Sequence, residues 1–481
     1  MAQRIGLFLG PVAFLVLLAL PPADGLSDAG WRTLAVAVLM AVFWMTEAIP
    51  IPATALLPLA LLPVLGVQDM KATAAPYAND LVFLQMGGFM LAVAMERWGL
   101  HRRIALFVVA KVGASPRRLV LGFMLAAAFI SMWISNSATT AMMLPIAIAI
   151  SLLFRDQDQE GPFDLGICLV LGLAYASTMG GVATLIGTPP NVVLAGAASE
   201  LLGIEIGFFE WMVVGLPLTC VMLPLGWVLL TRWLHPPTGL RGDAAAVIAK
   251  ERAGLGKISW PEVAVAMVFT LTALSWLLRA PKDLGGLQVP GIQTWFPAVK
   301  DSTIAMVASV VLFLIPVNWR KGQFILDWKT ASKLPWGVLV LFGGGLSLAG
   351  SMKSSGLATW IGSSVESFAS MPTWLIFLLV ATMFVFLTEL TSNLATTTMA
   401  MPVMLGAAVG LGVAPLALMA TAAMSASMAF MLPAATPPNA IVFGSGYLSI
   451  PQMVRAGIYL NLVAILAVTA VALWLVPIVL G

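Results

Sequence analysis

Two short tracts carry the residues best able to do chemistry. ISNSATTAMMLP (134–145) and TSNLATTTMAMP (391–402) are identical at seven positions with a constant offset of 257. Each opens on a Ser-Asn pair, Ser135-Asn136 and Ser392-Asn393, and continues into threonines. Farther on, Thr188-Pro189-Pro190-Asn191 recurs as Thr436-Pro437-Pro438-Asn439 at an offset of 248. These groups are hydroxyls and amides, with no base or strong nucleophile among them. Serine and asparagine cap helix starts, and the free N–H groups of a helix start attract negative charge. Side-chain and carbonyl oxygens in turn suit a hard cation. The chemistry on offer is noncovalent capture of an anion together with a cation, not bond making. A single Ser-Asn pair is usually just a cap, but its recurrence inside two apolar stretches points to a site.

The elements that must position these tracts belong to a membrane protein. Of 481 residues, 60% are apolar and 9% are charged, against about 25% charged in an average soluble protein. So few charges exclude a soluble enzyme, a disordered chain and a nucleic-acid binder. The net charge of +3 is too small to imply a polyanionic partner. A spanning helix needs about 20 mostly apolar residues. Runs near 4–20, 30–48, 52–66, 81–96, 165–197, 205–231, 261–279, 302–317, 336–352, 414–446 and 457–479 predict eleven transmembrane helices. The first run also resembles a signal peptide, but the topology requires it as a span. Two more runs, 117–154 and 372–412, are broken by the polar tracts Ser135–Thr140 and Ser392–Thr398 and are predicted to be re-entrant hairpins. Irregular backbone at membrane depth survives only inside protein or beside a water-filled cavity. The expected fold is an all-α polytopic membrane protein.

Lys and Arg set the orientation. With the N-terminus in the cytoplasm, the inner segments hold Arg4, six residues in 97–118, Arg155, five in 232–260, four in 318–335 and Arg455. The outer segments hold Arg32, Lys71, three in 279–302 and Lys353, a threefold bias that satisfies the positive-inside rule. This places the C-terminus outside, in a multi-pass protein of the inner (plasma) membrane. Gly87-Gly88 and Gly99-Leu100 recur as Gly344-Gly345 and Gly356-Leu357, again at an offset of 257. The six basic residues of 97–118 have no counterpart in 354–375. The halves are therefore expected to be inverted repeats, with a midplane site where their broken helices meet. Residues 98–112 read as an amphipathic piece on the cytoplasmic interface.

The remaining polar residues are few. Glu47 and Glu389 are the intramembrane carboxylates; each reads either as a substrate or proton group or, the favoured reading, as a group that accepts backbone hydrogen bonds and brackets a broken helix. His101 and His235 fall in loops, and no His-Glu-x-x-His motif occurs, so no membrane enzyme is expected. A channel would need a continuous polar lining, which no span provides. Cys168 and Cys220 lie in apolar runs and read as small hydrophobes. No Lys or Arg falls in the middle of a span. A dianion held by neutral dipoles alone is poorly stabilised in low dielectric, so sodium ions are expected beside it, and no other cofactor.

WMTEAIP (44–50), ISNSATT (134–140), GTPPN (187–191), TELTSNLATT (388–397) and the stretch from Ser427 to Val442 around ATPPN resemble, over nearly the whole chain, the divalent anion/sodium symporter family. Its members carry dicarboxylates, citrate or sulfate. The resemblance implies a homodimer with a scaffold and an elevator-like transport domain. That divides this chain into scaffold (1–116), first transport half (117–231), cytoplasmic linker (232–260), second scaffold part (261–371) and second transport half (372–481). By resemblance the substrate meets Ser135, Asn136, Ser137, Ser392, Asn393 and Leu394, with Thr188-Pro189 and Thr436-Pro437 lining the site. Sodium maps to Ser131, Ser135, Asn136 and Gly187, and to Thr388, Thr391, Asn393 and Ala435. Two positions depart from the family's Ser-Asn-Thr tips: Ser137 keeps a hydroxyl, whereas Leu394 loses one. The expected function is sodium-coupled symport of a C4-dicarboxylate such as succinate, malate or fumarate. A sodium-independent dicarboxylate or citrate exchanger and a symporter of sulfate or another divalent anion are the alternatives.

Overall fold

The computed structural model describes residues 2–113, 115–154, 163–237, 244–284 and 287–480. Arg155 of the topology count and residues 238–243 of the linker lie outside them. The protein is 76% helical. Among the described residues, eight helices are long and apolar enough to cross a membrane, and five shorter apolar helices accompany them.

Several predicted spans are interrupted helices, and proline is the reason. The run 165–197 forms Asp164–Val182 and Pro189–Ala197, and the run 414–446 forms Pro415–Ala426 and Pro437–Phe443. In each, Thr-Pro-Pro starts the second piece. Proline supplies no N–H and presets the first helical turn, so it begins a helix where it would break one. The run 52–66 likewise divides into Ile51–Thr54 and Leu57–Val64.

Each predicted hairpin is a helix pair. Pro116–Ser131 is followed by Asn136–Leu153, and Thr373–Thr388 by Asn393–Leu411, with four linking residues in each case. The breaks fall ahead of the polar tracts, which mostly form the first turns of the second arms. The hydroxyls of Thr140, Thr397 and Thr398 donate to the carbonyls of Asn136, Asn393 and Leu394, four residues earlier. The threonines thus satisfy themselves inside the helix instead of breaking it.

The same element order appears in both halves of the chain. Asp80–Arg97, Leu100–Val112 and the first pair are matched by Trp336–Ser354, Leu357–Val365 and the second pair. Gly99 (φ 73°) and Gly356 (φ 81°) turn the chain between the first two of these helices, in a left-handed conformation that glycine adopts without strain. The helix Leu357–Val365 has no charged face to announce it in the sequence.

Two two-stranded antiparallel ribbons, Lys282–Leu284 with Leu287–Val289 and Pro316–Asn318 with Gln323–Phe324, correct the all-α expectation. They are short local turns in interhelical loops, too brief to leave a periodic signal. The linker also carries a helix, Ala244–Gly254, beside which Arg102 pairs with Glu251 at 2.6 Å. The core centres on Asp164–Val182, which is buried along its length by the surrounding helices.

Candidate substrate and cation site

The two linking turns and the two helix breaks converge on one cavity of about 840 Å³. All ten residues predicted to face substrate line it: 135–137, 392–394 and the Thr-Pro pairs at 188–189 and 436–437. Ser135 is the N-cap of its arm and accepts from the Ala138 N–H at 3.2 Å. Ser392 holds the equivalent position without a side-chain cap bond. Thr436 accepts from the Asn439 N–H at 3.3 Å, whereas Thr188 makes no such bond. No Lys, Arg or His lines the cavity among the described residues, and Glu47 is its one charged side chain.

The predicted cation residues divide into two sets of different character. In the first, Ser135, Asn136 and Gly187 line the cavity, and Ser131 is fully buried and not part of the lining. The Ser131 hydroxyl and the Asn136 side-chain oxygen are buried with no hydrogen-bond partner. A Cβ added to Gly181 would lie 2.7 Å from that Asn136 oxygen and 3.1 Å from the Gly187 carbonyl. The Asn136 oxygen, its amide nitrogen at 2.9 Å and the Gly187 carbonyl thus surround a position that only glycine leaves open. Buried polar atoms are rarely left unpaired, and this donor set fits an oxygen-preferring cation carried as cargo. In the second set, Thr391, Asn393 and Ala435 line the cavity and Thr388 is buried. There Thr388 donates to the Asn393 oxygen at 2.6 Å, and the Thr391 and Thr396 hydroxyls are 2.6 Å apart. The side-chain oxygens of this set already have hydrogen-bond partners, Thr388 with Asn393 and Thr391 with Thr396, so a cation entering would have to displace those contacts.

The breaks are held open by asparagines and a carboxylate. Asn191 donates to the carbonyls of Gly181 and Thr184 at 3.3 and 2.7 Å. Asn439 donates to Ala429 and Leu432, which occupy the same repeat positions, at 3.4 and 3.1 Å. In the second half Glu389 adds more: it accepts from the backbone N–H groups of Phe430, Met431 and Leu432 at 2.8, 2.9 and 2.9 Å. The Asn461 amide completes its shell at 2.7 Å. Glu389 therefore braces the unwound segment, as expected.

Glu47 does not share that role. It ends the helix Asp28–Thr46 in a left-handed conformation (φ 48°), the one non-glycine positive φ among the described residues, and its side chain faces the cavity exposed. His101 and His235 also lie away from the cavity, bonded to the Met95 carbonyl and to Asp164; His101 is buried in the helix Leu100–Val112, not in a loop as expected. Sequence reasoning missed Gln85, Trp133 and Thr178, which line the cavity too. The available signal for Gln85 was a lone amide in the run LVFLQMGGFMLAVA.

A cavity enclosed by broken helices in an apolar helical body defines a multi-pass membrane transporter. A family profile described as "Sodium:sulfate symporter transmembrane region" matches residues 2–480, and the chain belongs to that family. The sodium-dependent dicarboxylate transporter SdcS of Staphylococcus saprophyticus is 44% identical over 487 residues, covering 100% of this chain and 92% of the relative. SdcS of Staphylococcus aureus strain USA300 is 42% identical over 489 residues with the same coverage. The crystal structure of the Alcanivorax borkumensis YdaH transporter shares the fold, with a TM-score of 0.61 at 14% identity, covering 93% of this chain and 98% of that one.

Proposed function

We propose that this protein is a sodium-coupled symporter of C4-dicarboxylates. The observation that carries the reading is the cavity itself. It gathers two helix starts suited to an anion and the unpaired buried oxygen of Asn136 suited to a cation, with no basic side chain among the described residues that line it to neutralise a dianion. Sodium ions, arriving as co-substrates, supply the missing positive charge. Asn136 belongs to both functions, so occupancy by the cation preorganises the first tip for the anion. The names of the 44% and 42% identical relatives support both sodium and dicarboxylate.

The repeats are read as inverted across the membrane, with the helix pairs re-entrant and the tips meeting near the midplane. Scaffold segments 1–116 and 261–371 then stay fixed in a homodimer of the plasma membrane, while 117–231 and 372–481 carry the site between the two faces. The N-terminus is cytoplasmic and the C-terminus outside. The test is uptake of labelled succinate by proteoliposomes under an inward sodium gradient. Uptake that collapses when choline replaces sodium supports the proposal; equal uptake in choline overturns the coupling and favours an exchanger.

A further inference from the structure

We propose that Gln85 is a specificity-determining residue of this transport site, its amide N–H binding a carboxylate of a C4-dicarboxylate and its carbonyl accepting from a 2-hydroxyl. The proposal rests on the transport reading and adds which acid the site prefers.

Gln85 is 3% exposed and lines the cavity, and neither its nitrogen nor its oxygen has a hydrogen-bond partner. An amide buried without partners is costly, and more so away from water. Gln85, Gly88, Phe89 and Ala92 all line the cavity and follow i, i+3, i+4, i+7 spacing, so one face of Asp80–Arg97 forms this wall. The rest of that face is apolar. The amide is therefore the one polar side chain on this stripe, and a small rotation toward the cavity brings it to an occupant.

Packing does not require the amide. The offset of 257 that pairs Gly87-Gly88 with Gly344-Gly345 pairs Gln85 with Phe342, which is buried at 4% exposure. The fold thus fills the equivalent place with an apolar ring. The opposite exchange occurs at the tips, where Ser137 is matched by Leu394. The second tip offers one hydroxyl fewer, while the facing helix offers an amide that its twin lacks.

The amide presents a donor and an acceptor together. Succinate can satisfy only the donor. A 2-hydroxy acid such as malate satisfies both, through a carboxylate oxygen and its hydroxyl. A site that hydrogen-bonds a substrate hydroxyl discriminates against the analogue lacking it, because the buried acceptor is then left unpaired.

The test compares wild type with Gln85→Met, a near-isosteric change, and with Gln85→Leu should the first misfold. Purified protein is assayed for sodium-driven uptake of malate and succinate, and for melting temperature with and without each acid. For the variant we expect the malate KM to rise about tenfold, the succinate KM less, about threefold, and Vmax to stay within about twofold. The ligand-free melting temperature should be equal to or above wild type, because an unpaired buried amide has been removed, while the malate-induced rise shrinks. Unchanged KM values for both acids overturn the proposal. So does an equal loss for both acids, or a lowered ligand-free melting temperature with no change in the malate preference. A wild type that takes up neither acid with sodium overturns the transport reading as well; a competent wild type matched by its variant overturns this inference alone.

Discussion

Replacing Glu389 with glutamine tests whether a buried carboxylate holds the second helix break open. The carboxylate accepts four N–H groups, three on one oxygen and one on the other. Glutamine keeps a single oxygen. In its best orientation that oxygen retains Phe430, Met431 and Asn461, and the new NH2 points at the Leu432 N–H, donor against donor. One charge-assisted bond, worth about 1.5–3 kcal/mol, is lost outright, and three others fall to neutral strength, about 0.5–1.5 kcal/mol each. Removing the cost of a buried charge offsets part of this, leaving a net destabilisation of about 2–4 kcal/mol. Denaturant unfolding of the purified protein in detergent reads that loss. Ser427, Ala435 and Thr436 sit on the segment Glu389 braces and line the cavity, so the sodium-driven KM should rise as well. Combining the change with Asn461→Ala should give less than the sum of the single effects, because the two side chains bond to each other and share the Phe430 N–H. A Glu389→Gln protein within about 0.5 kcal/mol of wild type, the range typical of neutral surface changes, and with normal uptake would refute the bracing argument.

Other expectations concern the tips and the clasps. Asn136→Ala should abolish sodium-dependent uptake while leaving the ligand-free melting temperature near wild type, since its side-chain oxygen is unpaired in the fold; uptake and thermal shift measured together decide it. Leu394→Thr restores a hydroxyl at the second tip and should lower the succinate KM roughly two- to tenfold, the equivalent of one hydrogen bond of about 0.5–1.5 kcal/mol net. Asn191→Leu and Asn439→Leu each strand carbonyls of an unwound segment and should each cost about 1–3 kcal/mol in unfolding experiments. The Asn439 variant should be the milder of the two, because Glu389 still braces its segment.

The positions of the tips and breaks were legible in the sequence because their causes are local. Apolar run length, a proline at a helix start and a Ser-Asn cap act over a few residues, and the repeat printed each of them twice. The same locality explains what went unread. The helix Leu357–Val365 lacks the charges that marked Leu100–Val112, and the two short ribbons are too brief to show a period. The different fates of the two glutamates were also hidden, since both sit in similar apolar contexts. Glu389 found backbone donors about 40 residues away and an amide 72 residues away, whereas Glu47 was left facing the cavity.

The sequence by itself determined that this chain lives in a membrane, where its helices break, and which polar groups stand at the breaks. Only the tertiary structure decided which polar atoms are paired and which are not. Ser131, Asn136 and Gln85 carry the same side chains whether or not a partner reaches them. Whether one does depends on how helices distant in the chain pack, and packing left these three oxygens and one amide nitrogen unpaired, with Asn136 and Gln85 in the lining of a single cavity.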